Sequence, residues 1–351
     1  MQDGKCSVCG RLFDYVESCN SRYGYEYLST LDDGEGLCSL YDEIDDVVSK
    51  AHDDASFNAQ ERSVDSVKYY TLSAVNYSKY DLTHNQAMSV ISTFRNDNPL
   101  YYWISNTVLT MEERNGSFSV VICVNNEYAN GNVRAEKNAE LYEKINYYLS
   151  LTQHEENDYY VTLALHNALI DNIDYAYDDG GNAETASWAH NIVGVFDNES
   201  AVCEGYSKAF QLLLNANRIE NVYVTGTSKG VGHAWNIVRL DTEWYWYDVT
   251  WDDQPNCIDG KIFDYFCKTD GEFLADHAVN VSEEGINYLY GVPTASNAAY
   301  NFDGVKIDET FTADGFTYRL NDYGKITFLG CQSAETVVIP EKVTYNGREY
   351  V

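Results

Sequence analysis

Three short segments carry side chains whose types and order could do covalent chemistry. They are Val202-Cys203-Glu204-Gly205-Tyr206, Gly232-His233-Ala234-Trp235-Asn236 and Tyr247-Asp248-Val249-Thr250-Trp251. Together they supply a thiol, an imidazole and a carboxylate. A thiolate attacks carbonyl carbon, an imidazole can take and return its proton, and a carboxylate can orient that ring and stabilise its charged form. Cys203 stands where the loop 197–200 runs into a helical pattern. Its sulfur therefore lies near unpaired N–H groups and the positive end of the helix dipole, which favours the thiolate. The backbone N–H of Cys203 also lacks a helical partner, so it can point at a developing oxyanion.

The positions of His233 and Asp248 follow from strand parity. Alternate residues of a strand share a face, so His233, Trp235 and Ile237 point one way, and Trp244, Trp246, Asp248 and Thr250 share a face of the next strand. If Asp241-Thr242 is a two-residue hairpin loop, Leu240 pairs with Glu243 and Trp235 falls opposite Asp248. His233 is then one diagonal step from the carboxylate, within reach of a longer side chain. A slip of one residue would break the arrangement. Each residue also has a plain reading on its own. A single buried Cys is usually an inert small hydrophobe, a strand His is often just hydrogen-bonded, and an Asp at a strand end is often a turn former. The order of all three, on a helix start and two neighbouring strands, is what favours chemistry.

The elements that must position these groups are legible in the periodicity. Cys203–Asn217 reads as a helix with Tyr206, Phe210, Leu213 and Leu214 on one face. Asn221–Gly226, His233–Leu240 and Glu243–Trp251 read as strands. Upstream, apolar spacings of three and four predict helices over 36–58 and from Asp81, the latter capped by Thr83 and ended by Asn98-Pro99. Ser117–Val124 predicts a strand or hairpin, Asn138–Leu151 and Tyr159–Asn172 predict helices, and Gly180-Gly181 a loop. The pattern after Phe311 is short strands and turns. The expected organisation is a Cys-rich segment over 1–39, a helical leader with a β-hairpin over 40–154, a core over 155–290 and a β-rich segment over 305–351.

The 351 residues carry 23 basic and 55 acidic side chains, for a net charge of −32. A field of that sign repels phosphate backbones and anionic lipid, which excludes nucleic acid as the main partner. No apolar run is long enough to span a membrane, so no membrane insertion is expected. No charged-then-apolar leader opens the chain, so any secretion signal lies outside it. There are nine cysteines. Cys6-Ser-Val-Cys9-Gly could supply half of a zinc site, but the spacing to Cys19 and Cys38 fits no standard ribbon, and disulfides or a knuckle cut off from an upstream partner fit better. The acidic pairs at Asp178-Asp179 and Asp252-Asp253 lack the ligand spacing of a calcium loop. HExxH, a phosphate loop and a dinucleotide glycine signature are all missing, so no cofactor is expected.

Cys203-Glu-Gly-Tyr-Ser-Lys-Ala-Phe, Gly232-His-Ala-Trp-Asn-Ile-Val and Trp244-Tyr-Trp-Tyr-Asp-Val-Thr-Trp-Asp-Asp resemble the core of the transglutaminase-like superfamily, with most likeness to the bacterial secreted branch of transglutaminase-like cysteine peptidases. His166-Asn-Ala-Leu-Ile-Asp-Asn-Ile-Asp-Tyr is similar to a helix preceding the nucleophile there, and Phe263-Asp-Tyr-Phe with Asp276-His277 to the segment after the Asp strand. The likeness spans about 155–280. It implies an α+β, papain-like fold, a nucleophile helix packed on an antiparallel sheet, with a helical N-terminal leader and a small all-β C-terminal segment. It implies Cys203 as nucleophile, His233 as general base and acid, Asp248 as orienter, and acyl transfer through a thioester. Trp188 and Tyr175 are candidates for the second oxyanion donor, and Trp235 and Trp251 for walls of the substrate groove. Val337-Val-Ile-Pro resembles the start of a surface repeat.

The resemblance further implies a secreted or cell-surface monomer acting on peptide or protein amides, with cell-wall peptide among the candidate substrates. In an exported protein the other eight cysteines could pair, leaving Cys203 free. The rival reading is a non-catalytic cell-surface binding or adhesion module that keeps the scaffold and uses its Tyr- and Trp-rich faces.

Overall fold

The computed structural model describes residues 19–153, 155, 157–253, 263–280, 291–300, 310–320, 326–331, 338, 340, 342–345 and 348–350. Its elements run α1 (Tyr23–Ser29), α2 (Gly34–Asp53), β1 (Gln60–Val64), β2 (Val67–Asn76), α3 (His84–Asp97), β3 (Ile104–Glu112), β4 (Phe118–Val124), α4 (Gly131–Ser150), α5 (Asp158–Asn172) and β5 (Asp174–Tyr175). Then follow α6 (Ile192–Phe196), β6 (Ser200–Ala201), α7 (Cys203–Ala216), β7 (Asn221–Ser228), β8 (Val231–Leu240), β9 (Glu243–Tyr247), α8 (Val249–Asp252), α9 (Asp270–Phe273) and β10 (His277–Val279). The fold class is α+β, as expected.

The sheet that matters for function has the order β10-β7-β8-β9, and every pairing in it is antiparallel. Strand alternation divides its residues cleanly. Val238, Leu240, Tyr245 and Tyr247 join the main core with Tyr206, Phe210 and Leu213 of α7. Val222, Val224, Trp235, Ile237 and Trp246 face the other way and pack with Phe273 of α9. The sheet is thus apolar on both faces, which explains why its strands read as nearly unbroken hydrophobic runs. Helix α7 is the centre of the molecule. Its buried residues include Tyr206, Ala209, Phe210, Leu212, Leu213 and Leu214.

The register is the one parity requires, with Leu240 opposite Glu243 and Asn236 opposite Tyr247. Strand β9 nevertheless stops at Tyr247, whereas the sequence suggested a strand through Trp251. The cause is Asp248, whose side chain accepts the Trp251 N–H and caps α8. A capping carboxylate overrides the β-forming run Val249-Thr250-Trp251. Strand β8 therefore continues past the end of β9, and the site opens where they part.

The segment 40–154 differs from a helical leader with one hairpin. It holds a four-stranded antiparallel sheet, β1-β2-β4-β3, beside α2, α3 and α4. Nor does it form a core of its own, since Leu40, Ile44, Phe94, Val120 and Leu141 belong to the same apolar cluster as the α7 residues. Cys19 and Cys38 are buried in that cluster too, so the Cys-rich region does not stand apart over its described part. Thr83 caps α3 in a reciprocal capping box with Gln86. At the C-terminal end, β11 (Thr310–Ala313), β12 (Phe316–Leu320) and β13 (Ile326–Cys331) form a meander. β14 (Val343–Tyr345) pairs with β15 (Arg348–Tyr350), around a small core of Phe311, Tyr318 and Val343. Cys6, Cys9, Val337 and Ile339 lie outside the described residues, so neither the zinc knuckle nor the repeat start bears on the structure. Cys38, Cys123, Cys203, Cys267 and Cys331 all carry free thiols, which overturns a scheme in which every cysteine but Cys203 is paired.

Candidate active site

Cys203 is the first residue of α7. Val202 before it is extended (φ −92°, ψ 177°), and no side chain caps the helix. The first-turn N–H groups thus keep their free donor capacity. The approach to Cys203 is fixed from outside the helix: the Val202 N–H donates to Ala189 O at 3.0 Å. Gly205 allows this closeness, because a Cβ there would sit 2.6 Å from Ala189 O and 2.7 Å from the Ala201 Cβ. Cys203 is half-buried and carries a free thiol.

His233 lies on β8 opposite Gly226 of β7. Its Nε2 is 2.6 Å from Asp248 Oδ2. Asp248 is 1% exposed, and its other oxygen accepts the Trp251 N–H at 3.1 Å. Burial opposes the charged ring of His233. The Asp248 carboxylate, by charge and hydrogen bond, and then the Cys203 sulfur outweigh burial and raise the His233 pKa to about 9. Burial likewise opposes ionisation of Asp248, but His233 and then His277 hold its pKa below the ordinary carboxylate value.

His277 was visible in the sequence only as part of an Asp-His pair. Its Nε2 lies 3.1 Å from the same Asp248 oxygen and its Nδ1 2.7 Å from Asp276 Oδ1. The ring is completely buried as a side chain and stacks on Phe273 with centroids 3.9 Å apart. Asp248 therefore serves three donors at once. The ligand atoms of His233, Asp248 and His277 lie within 4.8 Å of one another, a spacing that one ion could bridge. The short contacts to Oδ2 already employ both imidazoles, so this trio is satisfied as a hydrogen-bonded group.

The aromatic candidates divide. Tyr175 pairs along β6, which leads to Cys203, and Trp188 packs with it against Val202 and Ala189. Burial first, and then the nearby Cys203, push the Tyr175 phenol up to about 12. Both residues therefore lie close to Cys203. Trp251 stands edge-on to His233 at 5.8 Å, with the Lys229 ammonium 3.8 Å above its ring. Trp235 does not line a groove: it is fully buried and lies beneath His233, with ring centroids 5.9 Å apart. Parity put it on the His233 face correctly, but α9 covers that face.

Sequence reading also missed a second buried pair. His166 of α5 meets Asp252 of α8 at 2.9 Å, both side chains fully buried, and the Tyr265 N–H donates to the other Asp252 oxygen at 2.9 Å. Asp253 accepts from the Tyr206 hydroxyl. These contacts brace α8 against α5 and α7, and they occupy the carboxylates of the Asp252-Asp253 pair. Asp178 is similarly engaged by the N–H groups of Gly180 and Asn182.

With this geometry in place, comparison with known proteins is informative. Residues 145–249 match the Transglutaminase-like superfamily. This stretch forms a transglutaminase-like domain. It contains Cys203, His233 and Asp248, and its family supports thiol-dependent catalysis in general. Among solved structures the chain is similar to a transglutaminase (17% identity, 43% of this chain and 46% of that one, TM-score 0.28). It is also similar to a candidate cysteine protease from Cytophaga hutchinsonii (13% identity, 41% and 61% covered, TM-score 0.25) and to a candidate protease from Parabacteroides distasonis (12% identity, 40% and 30%, TM-score 0.26). The chain thus spans about half the length of the first of these. No curated protein matches it.

Proposed function

We propose that the protein is a thiol-dependent acyl-transfer enzyme acting on peptide or glutamine amides, a cysteine peptidase or amidase, or a transglutaminase. The observation that carries the reading is the buried His233–Asp248 contact at 2.6 Å, with Cys203 acting on the same ring from an uncapped helix start. Since Nε2 is committed to Asp248, Nδ1 is the nitrogen left for the sulfur. The Cys203 thiolate attacks the amide carbon, and the negative charge passes to the carbonyl oxygen. The Cys203 N–H supplies one donor to that oxygen, and Tyr175 and Trp188 are the candidates for a second. His233 gives its proton to the departing amine as the C–N bond breaks, leaving a thioester. Water or a second amine then attacks the thioester, His233 takes the incoming proton, and the thiolate is released. The free thiols at Cys38, Cys123, Cys267 and Cys331 make the site readable by alkylation only against controls.

The test compares wild type, Cys203→Ala and His233→Ala. Each is treated with iodoacetamide and assayed for ammonia or amine release from a peptide library containing glutamine. Wild type should alkylate fastest at Cys203 and release amine, and both variants should release none. If Cys203 alkylates no faster than a free thiol and no amide is turned over, the protein is not this enzyme. Binding of peptide or glycan that persists unchanged in Cys203→Ala without turnover would favour a scaffold module.

A further inference from the structure

A polar cavity of about 550 Å³ is lined in part by the strap 187–191, whose Ala189 O accepts the Val202 N–H. Residues of α3, the 98–106 connection, the strap, α7 and β7 line it, among them Arg95, Asn106, Asn125, Glu204, Lys208 and Tyr223. Its charge runs against that of the chain. Among the described residues that line it, Glu204, the residue after Cys203, is the only carboxylate, and that carboxylate is fully engaged. Glu204 accepts from His190 Nδ1 at 2.6 Å on one oxygen, and from the Tyr223 hydroxyl at 3.1 Å and Lys208 Nζ at 3.4 Å on the other. Lys208 also donates to His190 O at 3.1 Å. This closed network neutralises Glu204 and leaves Arg95 over.

Among the described residues, the Arg95 guanidinium takes part in no hydrogen bond or ion pair; Glu204 acts on it only through space. A guanidinium offers five donors in a fixed planar fork, matched to the two oxygens of a carboxylate. Leaving that fork unpaired in a half-buried cavity is costly unless a ligand supplies the acceptors. A positive pocket in a chain of net charge −32 also has no support from its surroundings, so it is a local feature.

We propose that this cavity binds a carboxylate, with Arg95 as its anchoring group and the amides of Asn106 and Asn125 at hand for the remainder of the ligand. On the acyl-transfer reading, the carboxylate belongs to the peptide substrate, as an acidic side chain or a free C-terminus. The binding itself does not require that reading, because Cys203 is not among the described residues that line the cavity.

Titration calorimetry on the full chain separates the possibilities. The ligands are three short peptides of equal length: one with a glutamate side chain and amidated C-terminus, its glutamine counterpart, and one with a free C-terminal carboxylate and no acidic side chain. At least one carboxylate peptide should bind, and the neutral peptide should bind at least about tenfold more weakly. Which carboxylate peptide binds identifies the source. Arg95→Gln should abolish the preference, and Arg95→Lys, which keeps charge but loses the fork, should retain part of it. Since Arg95 makes no hydrogen bond among the described residues, neither variant should lower the melting temperature below that of wild type. Cys203→Ala should bind as wild type does, so loss of turnover and loss of this site give different results. Equal binding of all three peptides, absence of binding, or a preference that survives Arg95→Gln overturns the proposal.

Discussion

Replacing Asp248 by Asn probes the site most directly. His233 holds its proton up to about 9, against about 6.5 for a free imidazole. That gap corresponds to roughly 3 kcal/mol in favour of the charged ring. The pair is almost fully buried, with side chains 8% and 0% exposed, so solvent screens little of it. An asparagine has one acceptor oxygen where the carboxylate serves His233, His277 and the Trp251 N–H. Without the negative charge, only the smaller contribution of the Cys203 sulfur opposes burial, which is the largest single influence on the ring, and the His233 pKa should fall well below 9. Less of the imidazolium that the proposed mechanism needs beside a thiolate is then present at neutral pH. Amide turnover should drop by roughly a hundredfold, the factor that 3 kcal/mol commands. The assay is a pH titration of the histidine ring signals by NMR, with His233→Ala to assign the peak, beside turnover at pH 7.5. A midpoint near 9 in both wild type and Asp248→Asn would refute the electrostatic argument, whatever the rates.

The same pair makes stability depend on pH. The folded pKa of His233 lies above its unfolded value, so the contribution is fully present below about 6.5 and is lost as pH rises through about 9; thermal melts should show a decline of at most about 3 kcal/mol across that window, flattened in Asp248→Asn. His277→Phe keeps the stack on Phe273 but removes one donor to Asp248, so kcat should fall roughly 3–10-fold, in line with about 1 kcal/mol for one hydrogen bond, with a shifted pH profile and nearly unchanged KM. Gly226→Ala would place a Cβ 2.1 Å from Ala278 O and 2.6 Å from the Trp235 ring, so chemical denaturation should show a loss on the order of 2–4 kcal/mol as β10 is pushed from β7.

Which parts of this were legible in the sequence follows from where the signals reside. The β8–β9 register was fixed by one two-residue turn and an alternation of aromatics, both local properties. The start of α7 was equally plain, because its apolar face begins abruptly at Cys203. The sheet in the N-terminal half was not, since its outer strands β1 and β3 are largely exposed and polar and present no apolar alternation to read. His277 eluded assignment because its partner Asp248 lies 29 residues away, and no spacing rule links a residue on β10 to one at the end of β9. Trp235 was misread because parity gives the face of a strand but not what covers it. Arg95 gave no signal at all: an arginine in an amphipathic helix looks like any solvated charge until the cavity around it is seen.

Helix α7 does not belong to the matched stretch alone. Its Gln211 side chain donates to Asn96 O at 2.9 Å and Asn215 to Cys19 O at 3.0 Å, both in the N-terminal half. Excising residues 145–249 as an autonomous fragment would strip these anchors and leave the greasy flank of the helix wet. During synthesis Cys203 emerges well before His277, the second histidine on Asp248. On the proposed acyl-transfer reading, Cys203 is assembled into its site only after the chain has been made on both sides of this span and has closed around the helix, which keeps a half-finished chain chemically quiet.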